Sequence, residues 1–246
     1  MNAEARKQFS LENVAYELDN TASLESEMQA QLMFTKLDRY GKPLFVTGPS
    51  GAGKTGLMAQ VAQLCDNWFE RKPVRVLRFC GTTPHSTHIV DLLVSICEQI
   101  WKAYEIESPQ QMDLKKDYAF LVEYFRALLY TVNTEHKPLI LIIDSLDQLS
   151  HQNNPQNMRW LPEMLPPNVY ILLSVMTPEN VTTAQQQQQN ANKSRDHSLL
   201  SSCQYRIADV DRYIDVPIIL KDTGAAIVKQ WMKVNNRYIF LIHGGV

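Results

Sequence analysis

The stretch Gly48-Pro49-Ser50-Gly51-Ala52-Gly53-Lys54-Thr55 constrains this chain more than any other part of it. It fits G-x-x-x-x-G-K-[ST] at every fixed position. An apolar run, residues 44–47, precedes it, and Leu57, Val61, Leu64 and Trp68 mark one face of a helix that follows. Glycines in such a loop permit positive φ and let the backbone approach a ligand closely. Successive N–H groups then form a nest for phosphate oxygens, and the helix start adds its positive dipole end. Lys54 would reach the β- and γ-phosphates as a mobile point charge, and the Thr55 hydroxyl would ligate Mg²⁺.

Around this loop the sequence alternates strand and helix signals. Residues 74–79, 139–143 and 169–175 read as continuous apolar strands, the last two introduced by Pro138 and Pro166-Pro167. Ile89, Leu92, Leu93, Ile96 and Ile100 form a helical stripe, for which Ser86 or Thr87 is the expected N-cap. Leu121, Tyr124, Phe125 and Leu128 form another. Strands joined through helices imply a parallel sheet, and uniformly apolar strands imply cover on both faces. The expected fold is therefore α/β: a three-layer α/β/α sandwich on a mainly parallel sheet. Residues 1–40 read as a helical lead-in carrying Leu24, Met28 and Leu32, and residues 41–246 as the main domain. Residues 181–203 are polar and low in complexity, the mark of a solvated insertion. Residues 213–219 return to apolar character, and Asp222-Thr223 would cap a final helix before an end that reads as truncated.

Composition narrows the partners. The formal net charge of the 246 residues is −2, with no long Lys/Arg run, so no nucleic-acid footprint is indicated. The longest apolar run, residues 139–143, is far short of a membrane span. Cys65, Cys80, Cys97 and Cys203 are scattered without metal-ligand spacing, as in a reduced, cytoplasmic protein that buries its thiols. His85 and His88 read as surface or capping residues rather than metal ligands. Trp160 and Trp231 read as core.

The strand 139–143 ends in Asp144. A carboxylate there lies on the rim where the phosphate loop sits and would hold Mg²⁺ directly or through water. Asp147 would either orient and deprotonate an attacking water or serve as a helix-start carboxylate. Ser174, near the end of the next strand, would either sense the γ-phosphate or make local hydrogen bonds.

These residues together carry a family likeness. GPSGAGKT, LILIIDSLDQLS, MRWLPEMLPPNVYILLS, DVPIILKDTGAAIVKQWM and RFCGTTPHSTHIVDLLVSICEQI resemble NACHT domains, within the STAND class of signalling P-loop NTPases. They are most similar to the NACHT domains of NACHT and WD-repeat proteins, over about residues 40–235. The resemblance implies ATP or ADP binding with Mg²⁺, slow hydrolysis and a nucleotide-controlled conformational switch. It implies protein partners or self-association. It places Gly48, Gly51, Gly53, Lys54 and Thr55 at the phosphates, Asp144 with Mg²⁺ and Asp147 at the water-activating position. Gln148 departs from the family pattern, which often has Glu there, and Ser174-Val175-Met176-Thr177 lacks the family's sensor Arg. Two other readings stay open: a nucleotide-stabilised interaction module that does not hydrolyse, and a P-loop kinase using Arg71, Arg75 or Arg78.

Overall fold

The computed structural model describes residues 41–107, 114–115, 117–132, 137–177 and 199–217. The expected helix through Leu24, Met28 and Leu32, the one capped by Asp222-Thr223, and Trp231 lie outside the described residues. Among the described residues, five strands form one parallel sheet: β1 (Leu44–Gly48), β2 (Val74–Phe79), β3 (Leu139–Asp144), β4 (Val169–Met176) and β5 (Tyr213–Asp215). Their order is β2-β3-β4-β1-β5, and all four pairings are parallel. The helices are α1 (Lys54–Leu64), α2 (Ile89–Tyr104) and α3 (Tyr118–Thr131), with residues 199–206 also helical.

The central strands are mostly apolar because both faces are covered, whereas β2 carries Arg75 and Arg78. Side chains alternate across a sheet with period two, and here they divide cleanly into two cores. Leu44, Val46, Ile140, Ile142 and Leu172 point toward α1 and pack with Leu57, Met58 and Val61. Phe45, Leu141, Ile143, Ile171 and Leu173 point the other way, into a larger core with the buried faces of α2 and α3. This is the expected three-layer α/β/α sandwich. Trp160 is wholly buried in the larger core, with its indole N–H donating to the Pro155 carbonyl at 3.1 Å. All four cysteines are buried and free.

Three local readings change. Helix α2 is capped at His88, with no side-chain hydrogen bond, rather than at Ser86 or Thr87. Those two residues lie in a preceding turn, where the Ser86 hydroxyl bonds Thr83 and the Thr87 hydroxyl bonds the Pro84 carbonyl. Their side chains are spent before the helix begins. Within the described part of the apolar segment 213–219, Tyr213–Asp215 form a strand, followed by Pro217, which lacks a backbone N–H. The polar insertion gives way to helix by residue 199, where Leu199 and Cys203 are buried in the core. No helix among the described residues is long and apolar enough to cross a membrane.

Candidate nucleotide site

The parallel sheet brings the C-terminal ends of β1, β3 and β4 to one rim. Between β1 and α1 the chain makes the loop read from the sequence. Gly53 occupies the cap of α1 with φ 93° and ψ 11°, a left-handed conformation that disfavours a side chain. Lys54 and Thr55 then open the helix, so the lysine and the hydroxyl sit where the helix's unpaired N–H groups lie.

The Lys54 ammonium donates to the loop's own Gly48 and Pro49 carbonyls, both at 2.8 Å. Burial holds this amine below the usual lysine range, while Asp147, Asp144 and Asp215 push it back toward the charged form. Three carboxylates thus lie close enough to act on one cation at the mouth of the loop.

Thr55 and Asp144 meet, although they are far apart in sequence. The Thr55 hydroxyl donates to Asp144 Oδ2 at 2.7 Å. Asp144 is only 2% exposed, and its Oδ1 accepts from the Ser174 hydroxyl at 2.5 Å. The Ser174 oxygen in turn accepts from the Ser145 N–H at 2.7 Å. A chain of hydrogen bonds therefore runs from the start of α1, through the end of β3, to β4 and back to the residue after β3. Strand β4 lies between β1 and β3, so Ser174 bridges from the strand that separates the loop from the acid. Ser174 thus makes long-range hydrogen bonds with Asp144 and Ser145 at the site's rim.

Beyond Asp144 the chain turns sharply, with Ser145 at φ 61° and a short 3₁₀ turn over Leu146–Gln148. The turn carries Asp147 back toward β4. Asp147 Oδ1 accepts from the Met176 N–H at 3.2 Å, and Oδ2 accepts from the Gln148 side-chain amide at 2.7 Å. Cys80, the residue after β2, donates its N–H to the Asp144 carbonyl at 3.0 Å. Burial, with Asp144 and Asp147 nearby, pushes the Cys80 thiol up to about 12, so it stays protonated and inert.

Sequence reasoning missed Thr47 and Asp215. The Thr47 hydroxyl donates to Asp215 Oδ1 and to the Ile214 carbonyl, both at 3.3 Å, tying the end of β5 to the strand that feeds the loop. The only signal was that Asp215, like Asp144, ends an apolar run. The kinase reading loses two of its three arginines. Arg75 binds the Ala62 carbonyl at 2.6 Å and Asp66 at 3.4 Å, and Arg78 binds Ser95 and Gln99. Both fasten helices to β2. His85 pairs with Asp91 at 3.6 Å and His88 with the Ser150 hydroxyl at 3.3 Å.

The donor set fits magnesium. A threonine hydroxyl and a buried carboxylate are hard oxygen ligands, and this ion takes one or two protein oxygens and completes its shell with phosphate and water. Thr55 and Asp144, already in contact, would supply the protein's share. The loop fits phosphate: a Cβ built on Gly51 meets nothing within 4 Å, so the nest is open there.

A parallel sheet with a strand–loop–helix phosphate nest at its rim and a buried acid beside it defines a P-loop nucleotide-binding domain. The particular kind follows from the family model "NACHT domain", which matches residues 42–215. The chain belongs to the NACHT domain family. It is 36% identical over 133 residues to human NACHT domain- and WD repeat-containing protein 1, covering 54% of this chain and 8% of that protein. It is 30% identical over 202 residues to human NACHT and WD repeat domain-containing protein 2, covering 79% of this chain and 10% of that one. The chain thus spans about a tenth or less of these relatives' lengths. Among solved structures, CDC6P from Pyrobaculum aerophilum overlays with a TM-score of 0.43 at 13% identity, over 86% of this chain and 49% of that one.

Proposed function

We propose that this domain binds ATP with Mg²⁺, hydrolyses it slowly, and uses the difference between the two nucleotide states as a conformational or assembly switch. The observation that carries the reading is the Thr55–Asp144–Ser174 hydrogen-bond chain. It joins the phosphate loop to the acid of β3 through β4 and gives hard oxygen ligands to one point on the rim. Lys54 would leave the Gly48 and Pro49 carbonyls for the β- and γ-phosphates, an exchange of neutral for charge-assisted partners. The loop N–H groups and the α1 N-terminus would hold the phosphates in place. When bound, Mg²⁺ would neutralise charge on the β- and γ-oxygens. Asp147 would accept a hydrogen bond from the attacking water and orient it for in-line attack. Loss of the γ-phosphate would remove the contacts that Lys54 makes only with a triphosphate, which is how hydrolysis would change the domain's state.

A second reading, a nucleotide-stabilised module without turnover, is favoured by one observation: Ser174-Val175-Met176-Thr177 at the end of β4 carries no arginine to sense the γ-phosphate. Single-turnover cleavage of Mg-ATP by the purified chain decides between the two. Slow cleavage that Asp147→Asn reduces by on the order of 10²-fold, with ATP affinity retained, supports a hydrolysing switch. Tight binding without cleavage establishes the module. Lys54→Ala is expected to abolish tight triphosphate binding under either reading, and wild-type affinity in that variant would remove the site assignment itself.

A further inference from the structure

We infer that Gln148 is a positioning residue for Asp147, and that Gly81 exists to make room for it; this rests on the water-orienting role proposed for Asp147. The Gln148 amide N–H₂ donates to Asp147 Oδ2 at 2.7 Å. The other carboxylate oxygen is fixed by the Met176 N–H at 3.2 Å. Two donors from different elements, the turn after β3 and the end of β4, therefore set the plane of one carboxylate. An ionised carboxylate has about four lone-pair sites. Two are engaged, and two remain free to accept from a water. The carboxylate is held without being used up.

Gln148 is itself held from the opposite side. The chain after β2 turns at Gly81, where φ is +77°. A Cβ at this position would lie 2.6 Å from Gln148 Cβ and 3.0 Å from its Cγ. A real side chain at 81 would therefore displace the root of Gln148, not a flexible tip, and carry the amide off Asp147. The turn is closed by Gly81 N–H donating to the Ser86 carbonyl at 3.3 Å, and by the Cys80 N–H on the Asp144 carbonyl at 3.0 Å. The end of β2, the end of β3 and the 3₁₀ turn thus form one support under Asp147. Catalysis by orientation depends on such support, because a carboxylate free to rotate samples the productive geometry only part of the time.

The donor and the packing separate experimentally. Gln148→Met keeps the length and fills the space against Gly81 but has no N–H. Gln148→Ala loses both. Gly81→Ala keeps the amide but crowds it. Single-turnover Mg-ATP hydrolysis, ATP affinity and melting temperature are measured on each variant of the full chain. Gln148→Met is expected to lower the hydrolysis rate about tenfold, with affinity and melting temperature close to wild type. Gly81→Ala is expected to lower the rate as well. In an Asp147→Asn background, Gln148→Met should cost nothing further, since the two act as a unit. Wild-type rates in Gln148→Met, or a full additional loss in the Asp147→Asn background, would overturn the positioning role and leave Asp147 untouched. A wild-type chain that binds ATP without cleaving it would be evident before any variant is made. That result overturns the hydrolysis reading and, with it, this inference.

Discussion

At the residue scale, Lys54 shows how the site is poised. Its ammonium sits on two backbone carbonyls of its own loop, partly out of water, and burial outweighs three nearby carboxylates in setting its titration. A triphosphate arriving beside it adds several negative charges and favours the protonated form. The sign of the pH effect follows. On the proposed role the charged amine would be the form that binds phosphate, and burial lowers the pH at which the free amine loses that charge. Affinity for ATP should therefore fall as pH rises through the alkaline range, and binding there should take up protons. Titration calorimetry in two alkaline buffers of different ionisation enthalpy reads the uptake directly. Lys54→Arg should bind without it, since guanidinium does not titrate in this range. No difference between the buffers would mean that Lys54 stays fully charged in the free protein.

At the scale of elements, the sheet was legible and the fastenings were not. Strands buried on both faces are mostly apolar, so residues 44–47, 139–143 and 169–175 announced themselves, and 74–79 did so through its β-branched and large apolar residues despite Arg75 and Arg78. The loop 48–55 and Asp144 were legible for the same reason: their chemistry needs fixed residue types at fixed places. Asp147 was ambiguous because one of its partners, the Met176 N–H, is a backbone group that any residue would supply. The α3 cap was also missed: Asp117 accepts from the Ala119 and Phe120 N–H groups, yet its segment carried no pattern that set it apart. Arg212 is the clearest hidden fastening. It is wholly buried and donates to the Lys42 carbonyl at 2.8 Å and the Pro43 carbonyl at 3.3 Å. It thereby clamps the entry to β1 against the entry to β5. The neighbouring Lys42–Asp209 pair, at 3.5 Å and about a third exposed, contributes at most about 1 kcal/mol. Arg212 is therefore the stronger of these two fastenings at the entry to β5, beside the ladder to β1 and the Thr47 bonds. Arg212→Met should destabilise the domain by about 2–4 kcal/mol, because the carbonyls lose their donors. Lys42→Ala should cost under about 1 kcal/mol. Urea unfolding of both variants checks the ranking, and equal effects would show that the guanidinium is not the clamp.

At the scale of the whole molecule, the site draws on β1, α1, β3 and β4 at once, and β5 joins through the Thr47–Asp215 hydrogen bond. No segment of the unfolded chain can assemble it. Nucleotide therefore binds only the folded state, and its free energy of binding becomes free energy of folding. At 100 times its dissociation constant, a ligand adds about 2.7 kcal/mol. For a domain of this size, each kcal/mol moves the melting temperature by about 2–4 °C, so saturating Mg-ATP should raise it by about 5–10 °C. Lys54→Ala at the same nucleotide concentration should show almost none of this rise. Replacing Mg²⁺ by a chelator should remove part of it, since Thr55 and Asp144 would then lack the ion they share. ADP tests the switch in the same assay. If Lys54 and the loop hold the γ-phosphate, ADP at equal concentration should stabilise less than ATP. A nucleotide controls an equilibrium between two conformations only by binding one of them better than the other. ATP and ADP that stabilise equally at equal concentration, with the same cooperativity of unfolding, would fit a module that needs nucleotide only to stay folded. A difference in cooperativity between the two states would show that they differ in structure.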